Sequence, residues 1–146
     1  MTREELKQKR LDEENEKIES LKGKQITEDQ KNWFRNTHQW KDFRDTFENV
    51  GVKKFKNGKE KPIRAVDPFT LNPLKKGWNL HHFCLDSRSY TNLVREHFLA
   101  LNPQSHDFLH WAYTQMCKDK DFIKRFVDAL NKMYEINGGK DVKDFK

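Results

Sequence analysis

Two histidines in the C-terminal half of the chain, His106 and His110, lie four positions apart in a segment with a helical pattern. Residues at this spacing share one face of an α-helix, with Cβ atoms roughly 5–6 Å apart, a separation that two ligands of one metal ion can span. The same HxxxH spacing also occurs in histidine pairs that bind no metal. By itself, the pair is therefore a weak indication of a metal site.

A second pair, His81 and His82, lies in the short apolar-flanked run WNLHHF at 78–83, which is predicted to be a strand. The run HFLAL at 97–101 is predicted to be a second strand, and the two should form a hairpin beside the helix that carries the HxxxH pair. Neighbouring residues in a strand point to opposite faces. One histidine of the pair can therefore join a metal ion while the other faces a different part of the site.

This combination of residues suits phosphodiester cleavage, which needs a base to activate water and a cation to neutralise the charge that develops on the phosphate. Three neutral imidazoles leave an open position on a metal ion, whereas a closed four-ligand site is structural. A fourth histidine, with an ordinary pKa of about 6.5, is suited to deprotonating water at neutral pH. Cys84 and Cys117 are the only cysteines and form no CxxC motif, so histidines or carboxylates must hold any metal.

The N-terminal part of the chain is predicted to be helical. Residues 2–22 favour a helix but show little apolar periodicity, which indicates a charged, solvated arm with few apolar contacts. Thr27 opens a capping-box pattern that begins a new helix. Trp40, Phe43 and Phe47 then recur at helical spacing, and Thr37 is a possible internal cap. We therefore expect one helix, or two short ones, with an apolar stripe facing the core.

The remaining elements are a hairpin and two helices. An Asn-Gly pair at 57–58 separates short runs near 52–56 and 63–66, which predicts two strands joined by a tight turn. An Asn-Pro pair at 102–103 supplies an N-cap and the first residue of the helix that carries the HxxxH pair. A last helix over about 120–136 carries apolar residues at core spacing.

Composition bounds the class of protein. A chain of 146 residues with a net charge of +6 fits one domain, and the positive charge favours a polyanionic partner such as nucleic acid or serves solubility alone. No run approaches the ~18 apolar residues of a membrane span, and the first residues lack a signal-peptide core, so we expect a cytoplasmic protein without membrane contact. The expected fold is α+β and mostly helical, with a charged helical arm over 1–25 and a single domain over 26–146.

The histidine motifs resemble those of HNH, or His-Me finger, endonucleases of the phage and prophage branch. The resemblance rests on the runs GWNLHHFCLD, SYTNL and HFLALNPQSHDFLHWAY, with further similarity in WKDFR at 40–44 and VDPFTLNPLKKG at 66–77. It covers about residues 33–113. It implies a ββα-metal core over about 78–117, in a metal-dependent endonuclease that cleaves DNA with one divalent ion, which would be Mg, Mn, Ni or Zn.

The same resemblance implies a role for each of the four clustered histidines. His81 becomes the first metal ligand, and His106 and His110 complete a three-histidine site similar to that of nuclease colicins. His82 becomes the general base. The metal is thus expected on one face of the first strand, and the base on the other.

The main departure from the family pattern is at its central asparagine. That asparagine precedes the apolar residues of the second strand, where this chain has His97, and Asn92 five residues earlier is the alternative. The residue orients the base by a hydrogen bond, which a histidine can also donate. His97 is therefore predicted to assist catalysis, although it is also readily explained as an ordinary residue at a strand edge.

Three arginines, Arg64, Arg88 and Arg95, are predicted to contact DNA phosphates, because a guanidinium can pair bidentately with phosphate oxygens. Arg88 and Arg95 lie in the loop between the two strands, nearest the predicted metal. Each is also readily explained as a surface charge.

The phage resemblance implies DNA as a partner, a terminase or packaging protein as a possible second partner, and the cytoplasm of a bacterial host as the location. Two rival hypotheses keep the histidine site but assign it no catalytic activity. One is a non-catalytic nucleic-acid-binding protein with a structural zinc, and the other is a degenerate relative that is inactive because His97 replaces asparagine. A third hypothesis is an interaction protein that uses its charged helical arm.

Overall fold

A computed structural model describes residues 1–145 of the chain. Within these residues the four strands form two antiparallel two-stranded sheets, β1–β2 and β3–β4, so the α+β expectation is confirmed. The chain groups into two compact units, Met1–Ser105 and a second that begins at His106. The elements are α1 (Arg3–Leu21), α2 (Glu28–Phe34), α3 (His38–Glu48), β1 (Asn49–Lys54), β2 (Glu60–Arg64), β3 (Asn79–His82), β4 (Phe98–Leu101), α4 (Pro103–Lys118) and α5 (Phe122–Ile136).

Side-chain caps begin α2 and α3. The hydroxyl of Thr27 accepts from the backbone N–H of Gln30 at 3.2 Å, and the Gln30 side chain accepts from the Thr27 N–H at 2.8 Å. Thr37 is buried, and its hydroxyl accepts from the N–H of Trp40 at 3.3 Å. Each cap satisfies a backbone donor that the first helical turn leaves without an intrahelical partner. Both predicted caps are confirmed, and the segment forms two helices.

The core of the first unit is aromatic. Trp40 and Phe47 on α3 are buried, and Phe43 packs against them from the same helix. Phe98 on β4 meets this stripe, with its ring centroid 5.0 Å from that of Phe43 and 6.0 Å from that of Trp40. The predicted apolar stripe of α3 therefore holds the strand that pairs with the histidine-bearing strand β3.

The helix α1 forms as predicted, but its last turns are not a solvated arm. Ile18 is 0% exposed and belongs to the core of the first unit, and Leu21 is buried as well. The ammonium of Lys17 lies 4.1 Å from the centroid of the Trp33 ring. The expectation of few apolar contacts is therefore wrong for the C-terminal end of α1, because two buried apolar residues, Ile18 and Leu21, anchor a helix that is otherwise polar.

We expect Ile18→Ala to lower the free energy of unfolding by roughly 2–5 kcal/mol, because truncation of a fully buried isoleucine loses apolar burial and leaves a cavity. Leu6→Ala on the same helix is the matched control, since Leu6 is 41% exposed and surface changes usually stay within about 0.5 kcal/mol. Urea unfolding followed by circular dichroism measures both. Equal effects of the two substitutions would show that Ile18 is not a core residue.

The hairpin of β1 and β2 confirms the predicted Asn-Gly turn. Gly58 has a φ of 81°, in the left-handed region that glycine adopts without strain. The N–H of Phe55 donates to the carbonyl of Lys59 at 2.9 Å and closes the turn. The strands begin and end two or three residues before the predicted runs, and every residue in them is exposed.

Asp67 joins the segment before β3 to the start of α4. Its side chain is 0% exposed and accepts hydrogen bonds from the N–H groups of Phe69 at 2.8 Å, Thr70 at 3.1 Å and Asn102 at 2.9 Å. Burial alone would raise the pKa of Asp67. The hydrogen bond with the Ser105 side chain and those from the three backbone amides outweigh it, so the pKa lies below its ordinary value.

The helix α4 begins at Pro103 as predicted, but the Asn102 side chain is used elsewhere. Its Oδ1 accepts from the N–H of Lys75 at 2.7 Å, and its Nδ2 donates to the carbonyl of Pro73 at 3.1 Å. The carboxylate of Asp67 instead supplies negative charge beside the first turn of α4, where the helix dipole favours it. Asn102 therefore fixes the loop that leads into β3.

We expect Asp67→Asn to destabilise the protein by roughly 2–3 kcal/mol near neutral pH, because hydrogen bonds to a charged acceptor contribute about 1.5–3 kcal/mol each and an amide accepts more weakly. The folded-state pKa is lowered, so this stabilisation is present above the unfolded pKa of about 3.9 and is lost as pH falls through the folded value. Thermal melts as a function of pH measure it, with Asp42→Asn on an exposed face as the control. A stability difference that stayed constant down to acid pH would show that the charge is not its source.

The prediction that the apolar face of the last helix lies in a core is wrong, because α5 has no buried residue. Phe122 and Phe126 are partly covered by Trp111 on α4, at ring-centroid distances of 5.4 and 6.4 Å. Met133 and Ile136 are 60% and 72% exposed. Periodicity shows that a helix has an apolar face. When two helices pack as a pair, each covers only the part of that face that contacts its partner, and the rest stays exposed.

No helix within residues 1–145 combines the length and the apolar character needed to cross a membrane.

Candidate metal centre

The strand β3 presents its two histidines in a regular antiparallel ladder. His81 pairs with Leu99 and His82 pairs with Phe98 on β4. The N–H of Phe83 donates to the carbonyl of His97 at 2.9 Å and extends the ladder by one residue. The predicted hairpin is confirmed, and its pleat directs the side chains of His81 and His82 to opposite faces.

Arg44, which sequence analysis did not single out, holds the residue before β3. Its Nη2 donates to the carbonyl of Trp78 at 2.8 Å, and its guanidinium carbon lies 3.9 Å from the centroid of the Trp78 ring. Trp78 itself is 5% exposed. The position of Arg44 in the WKDFR run, four residues after the buried Trp40, is the signal that could have identified it. This contact fixes the entry of the strand that carries the histidines.

Three histidines are close enough to share one metal ion. One ring nitrogen from each of His81, His106 and His110 lies within 4.8 Å of the other two. The Nε2 atoms of His106 and His110 are 3.1 Å apart. Metal–nitrogen bonds of about 2.0–2.1 Å in tetrahedral geometry separate two ligand nitrogens by about 3.4 Å. The donor set therefore fits a divalent transition ion, whereas magnesium prefers oxygen ligands.

The environment of His106 favours the neutral ring that binds a metal. Burial lowers the pKa of His106, and the neighbouring His110 lowers it further, while the nearby Asp107 carboxylate opposes the shift. The carboxylate of Asp107 lies 3.8 Å from Nδ1 of His106. A histidine with a lowered pKa loses its proton more readily, so less proton displacement accompanies metal binding at neutral pH.

His82 is held by aromatic contacts on the other face of β3. Its ring stacks on Phe98 with centroids 4.5 Å apart and meets the edge of Tyr90 at 6.1 Å. Its Nε2 is buried and has no hydrogen-bond partner within residues 1–145. Burial lowers the pKa of His82, and the proximity of His97 lowers it further, so the ring is neutral at pH 7. Because Nε2 is buried, Nδ1 is the ring nitrogen that could accept a proton from water.

Neither candidate for the central asparagine role binds Nε2 of His82, because that atom has no partner in the described residues. The proximity of His97 lowers the pKa of His82, after the larger effect of burial. Asn92 lies in an exposed turn, where its N–H donates to the carbonyl of Ser89 and its carbonyl accepts from the N–H of Val94, both at 3.0 Å. Of the two candidates, His97 is therefore the one that affects the pKa of His82.

All three arginines predicted to bind phosphate already have partners in the chain. Arg88 pairs with Asp86 at 2.7 Å in its own turn, and its hydrogen bonds lower the pKa of Asp86 to about 2. Arg95 donates to the hydroxyl of Thr46 at 2.9 Å, and its guanidinium carbon lies 4.1 Å from the centroid of the Phe47 ring. A phosphate would have to compete with these contacts.

The third arginine, Arg64, lies at the end of β2, with its Nη2 3.3 Å from Oε1 of Glu48 on α3. It lines a cleft together with Arg44, Glu48 and Lys76. Arg95 and Arg64 thus both contact the C-terminal end of α3, whereas Arg88 is held in its own turn by Asp86.

Comparison of the chain with protein-family models, with curated proteins and with solved structures found no match. Function must therefore be inferred from the residues of the site and from their geometry.

Proposed function

We propose that this protein is a metal-dependent endonuclease of the HNH type, which hydrolyses DNA phosphodiester bonds with one divalent ion. The observation that carries the proposal is the cluster of His81, His106 and His110, whose ligand atoms lie within 4.8 Å of one another. The adjacent residue on β3 is a further histidine, His82, on the opposite face. The three imidazole ligands would hold the cation, and the neutral histidine beside them would act as the base.

In this proposal each histidine has a defined task. The ion, when bound, supplies positive charge that stabilises the negative charge developing on the phosphate. His81, His106 and His110 hold it through neutral imidazole nitrogens. His82 accepts a proton at Nδ1 from the attacking water, whose oxygen bonds to phosphorus as the bond to the leaving oxygen breaks.

The rest of the proposal concerns orientation and affinity. His97 would assist catalysis by helping to orient His82, and Arg64, Arg88 and Arg95 would contribute to DNA binding along with the other cations of this chain of net charge +6. A terminase or packaging partner follows from the phage resemblance only and stays a prediction. The ββα-metal assignment for β3, β4 and α4 is part of the same proposal.

One observation favours a second candidate, a non-catalytic nucleic-acid-binding protein with a structural metal. The Nε2 of His82 is buried and the ring packs between Phe98 and Tyr90, as a core histidine would. A general base must reach water, and only one of the two ring nitrogens of His82 could do so. A structural site should also unfold on chelation, whereas a catalytic site exchanges its ion and stays folded.

Incubation of supercoiled plasmid with the purified protein tests the proposal. We expect nicked or linear product with at least one of Mg²⁺, Mn²⁺, Ni²⁺ or Zn²⁺ and none with EDTA, and we expect the helical signal in circular dichroism to survive EDTA. A protein that binds DNA, cuts none with any of these ions and loses its helical signal on chelation would support the structural-metal candidate.

A further inference from the structure

A cleft of about 300 Å³ lies on the first unit where α3, β2 and the loop before β3 meet. It does not include any of the histidines. Three of its six lining residues are cations and one is an anion, so positive charge predominates in the cleft. The lining residues are Arg44, Glu48, Arg64, Lys76, Gly77 and Trp78.

We propose that this cleft binds a phosphate group of the DNA backbone, next to the one that is cut. The proposal rests on the function proposed above, because that function names DNA as the ligand. Phosphate contacts fix the register and orientation of a protein on DNA without reading sequence. A built phosphate site would therefore position the duplex for the histidines.

The cations offer the donors that a phosphate needs. A guanidinium has five N–H donors, and Arg44 uses Nη2 for the carbonyl of Trp78, while Arg64 directs Nη2 toward Glu48. The ammonium of Lys76, which also lines the cleft, adds three donors. Arg44 is already immobilised against the Trp78 ring, so this wall of the cleft needs little reorganisation when an anion enters.

Glu48 decides how strongly the cleft attracts an anion. Its Oε1 lies 3.3 Å from Nη2 of Arg64, and both side chains keep contact with solvent. A phosphate must compete with this carboxylate for Arg64 and is repelled by its charge. Removal of Glu48 should thus strengthen phosphate binding, while removal of a cation should weaken it. Two substitutions in one cleft that change the DNA affinity in opposite directions test the proposal more sharply than a loss of binding alone.

The cleft is also well placed along the chain. Trp78, which forms part of its wall, directly precedes β3. His81 follows three residues later, about 10 Å along an extended strand. A phosphate held at the cleft would therefore belong to the same stretch of DNA as the phosphate presented to the histidines.

The test measures binding of a short fluorescein-labelled DNA duplex by anisotropy, with EDTA present so that no cleavage occurs. Lys76→Gln is compared with Lys75→Gln, because these neighbouring lysines carry the same charge and only Lys76 lines this cleft. Loss of one phosphate contact changes the slope of log K against log salt by about 0.9, which corresponds to about fivefold weaker binding at about 0.15 M salt. We expect this change for Lys76→Gln and less than about twofold for Lys75→Gln.

The second comparison is Glu48→Gln against Glu60→Gln. Glu60 lies on β2, the strand that also carries Arg64; its side chain is 4.0 Å from Nζ of Lys54 and outside the cleft. We expect Glu48→Gln to bind the duplex several-fold more tightly than wild type and Glu60→Gln to stay near wild type. Arg44 is left unchanged because it also holds Trp78.

Equal weakening by Lys76→Gln and Lys75→Gln would overturn the cleft proposal, and so would equal affinities of Glu48→Gln and Glu60→Gln, since general surface charge would then explain binding. These outcomes are separable from the nuclease proposal. Plasmid cleavage by wild type together with equal lysine variants would reject the cleft alone. Binding through the cleft without cleavage by any ion would reject the nuclease and leave the cleft.

Discussion

Replacement of His82 by alanine is expected to slow DNA cleavage by about 10²–10⁴-fold, the usual contribution of general-base assistance. Metal affinity and DNA affinity should stay near the wild-type values, because His82 leaves β3 on the face opposite to His81 and does not belong to the three-histidine cluster. Single-turnover plasmid cleavage measures the rate. Metal titration and duplex anisotropy measure the two affinities.

The experiment must distinguish loss of proton transfer from loss of packing, because the His82 ring stacks on Phe98 and alanine leaves a gap there. His82→Gln keeps more of the volume and should be as slow as His82→Ala if proton transfer is what is lost. His38→Ala is the matched histidine control, since the His38 side chain is 66% exposed on α3. Wild-type cleavage by His82→Ala and loss of cleavage in His81→Ala would show that the two roles are exchanged.

The second large effect is expected for His106→Ala and His110→Ala. Each should weaken Zn²⁺ or Ni²⁺ binding by more than the roughly 10–100-fold that loss of an outer-shell partner causes, because each removes one of three imidazole ligands. Isothermal titration at neutral pH measures the affinities.

Asp107→Asn is the matched control on the same helix. Its carboxylate lies 3.8 Å from Nδ1 of His106 and outside the cluster, so its replacement should cost no more than an outer-shell change. Unchanged affinity in both histidine variants would remove them from the metal site and, with them, the basis of the nuclease proposal.

Much of the local structure was predictable from sequence because short-range rules govern it. Thr27 and Thr37 cap helices because a threonine hydroxyl can accept from a backbone N–H two or three residues ahead. The hairpin around Gly58 follows from a turn that requires a positive φ. The strand that carries His81 and His82 follows from a short apolar-flanked run between turn residues. Each rule involves groups only a few residues apart.

Burial was less predictable, because periodicity identifies an apolar face without showing what covers it. Ile18 is one of few apolar residues in a charged helix, yet it is fully buried. Met133 lies in the strongly periodic α5 and is 60% exposed. Asn102 stands at a predicted N-cap, but its side chain binds the loop at 73–75 instead. In each case the outcome depends on a partner that is distant in sequence.

The sequence by itself determined which side chains could do chemistry and how each pair is arranged locally. Helical spacing places His106 beside His110, and strand alternation separates His81 from His82. Only the tertiary structure brought a nitrogen of His81 within 4.8 Å of the helical pair, buried Nε2 of His82, and set Arg64 against Glu48. The physical reason is the distance in sequence over which each interaction acts. A residue's own helix or strand sets the direction of its side chain. Ligand distances and burial depend instead on packing between elements, which the order of the elements along the chain does not specify.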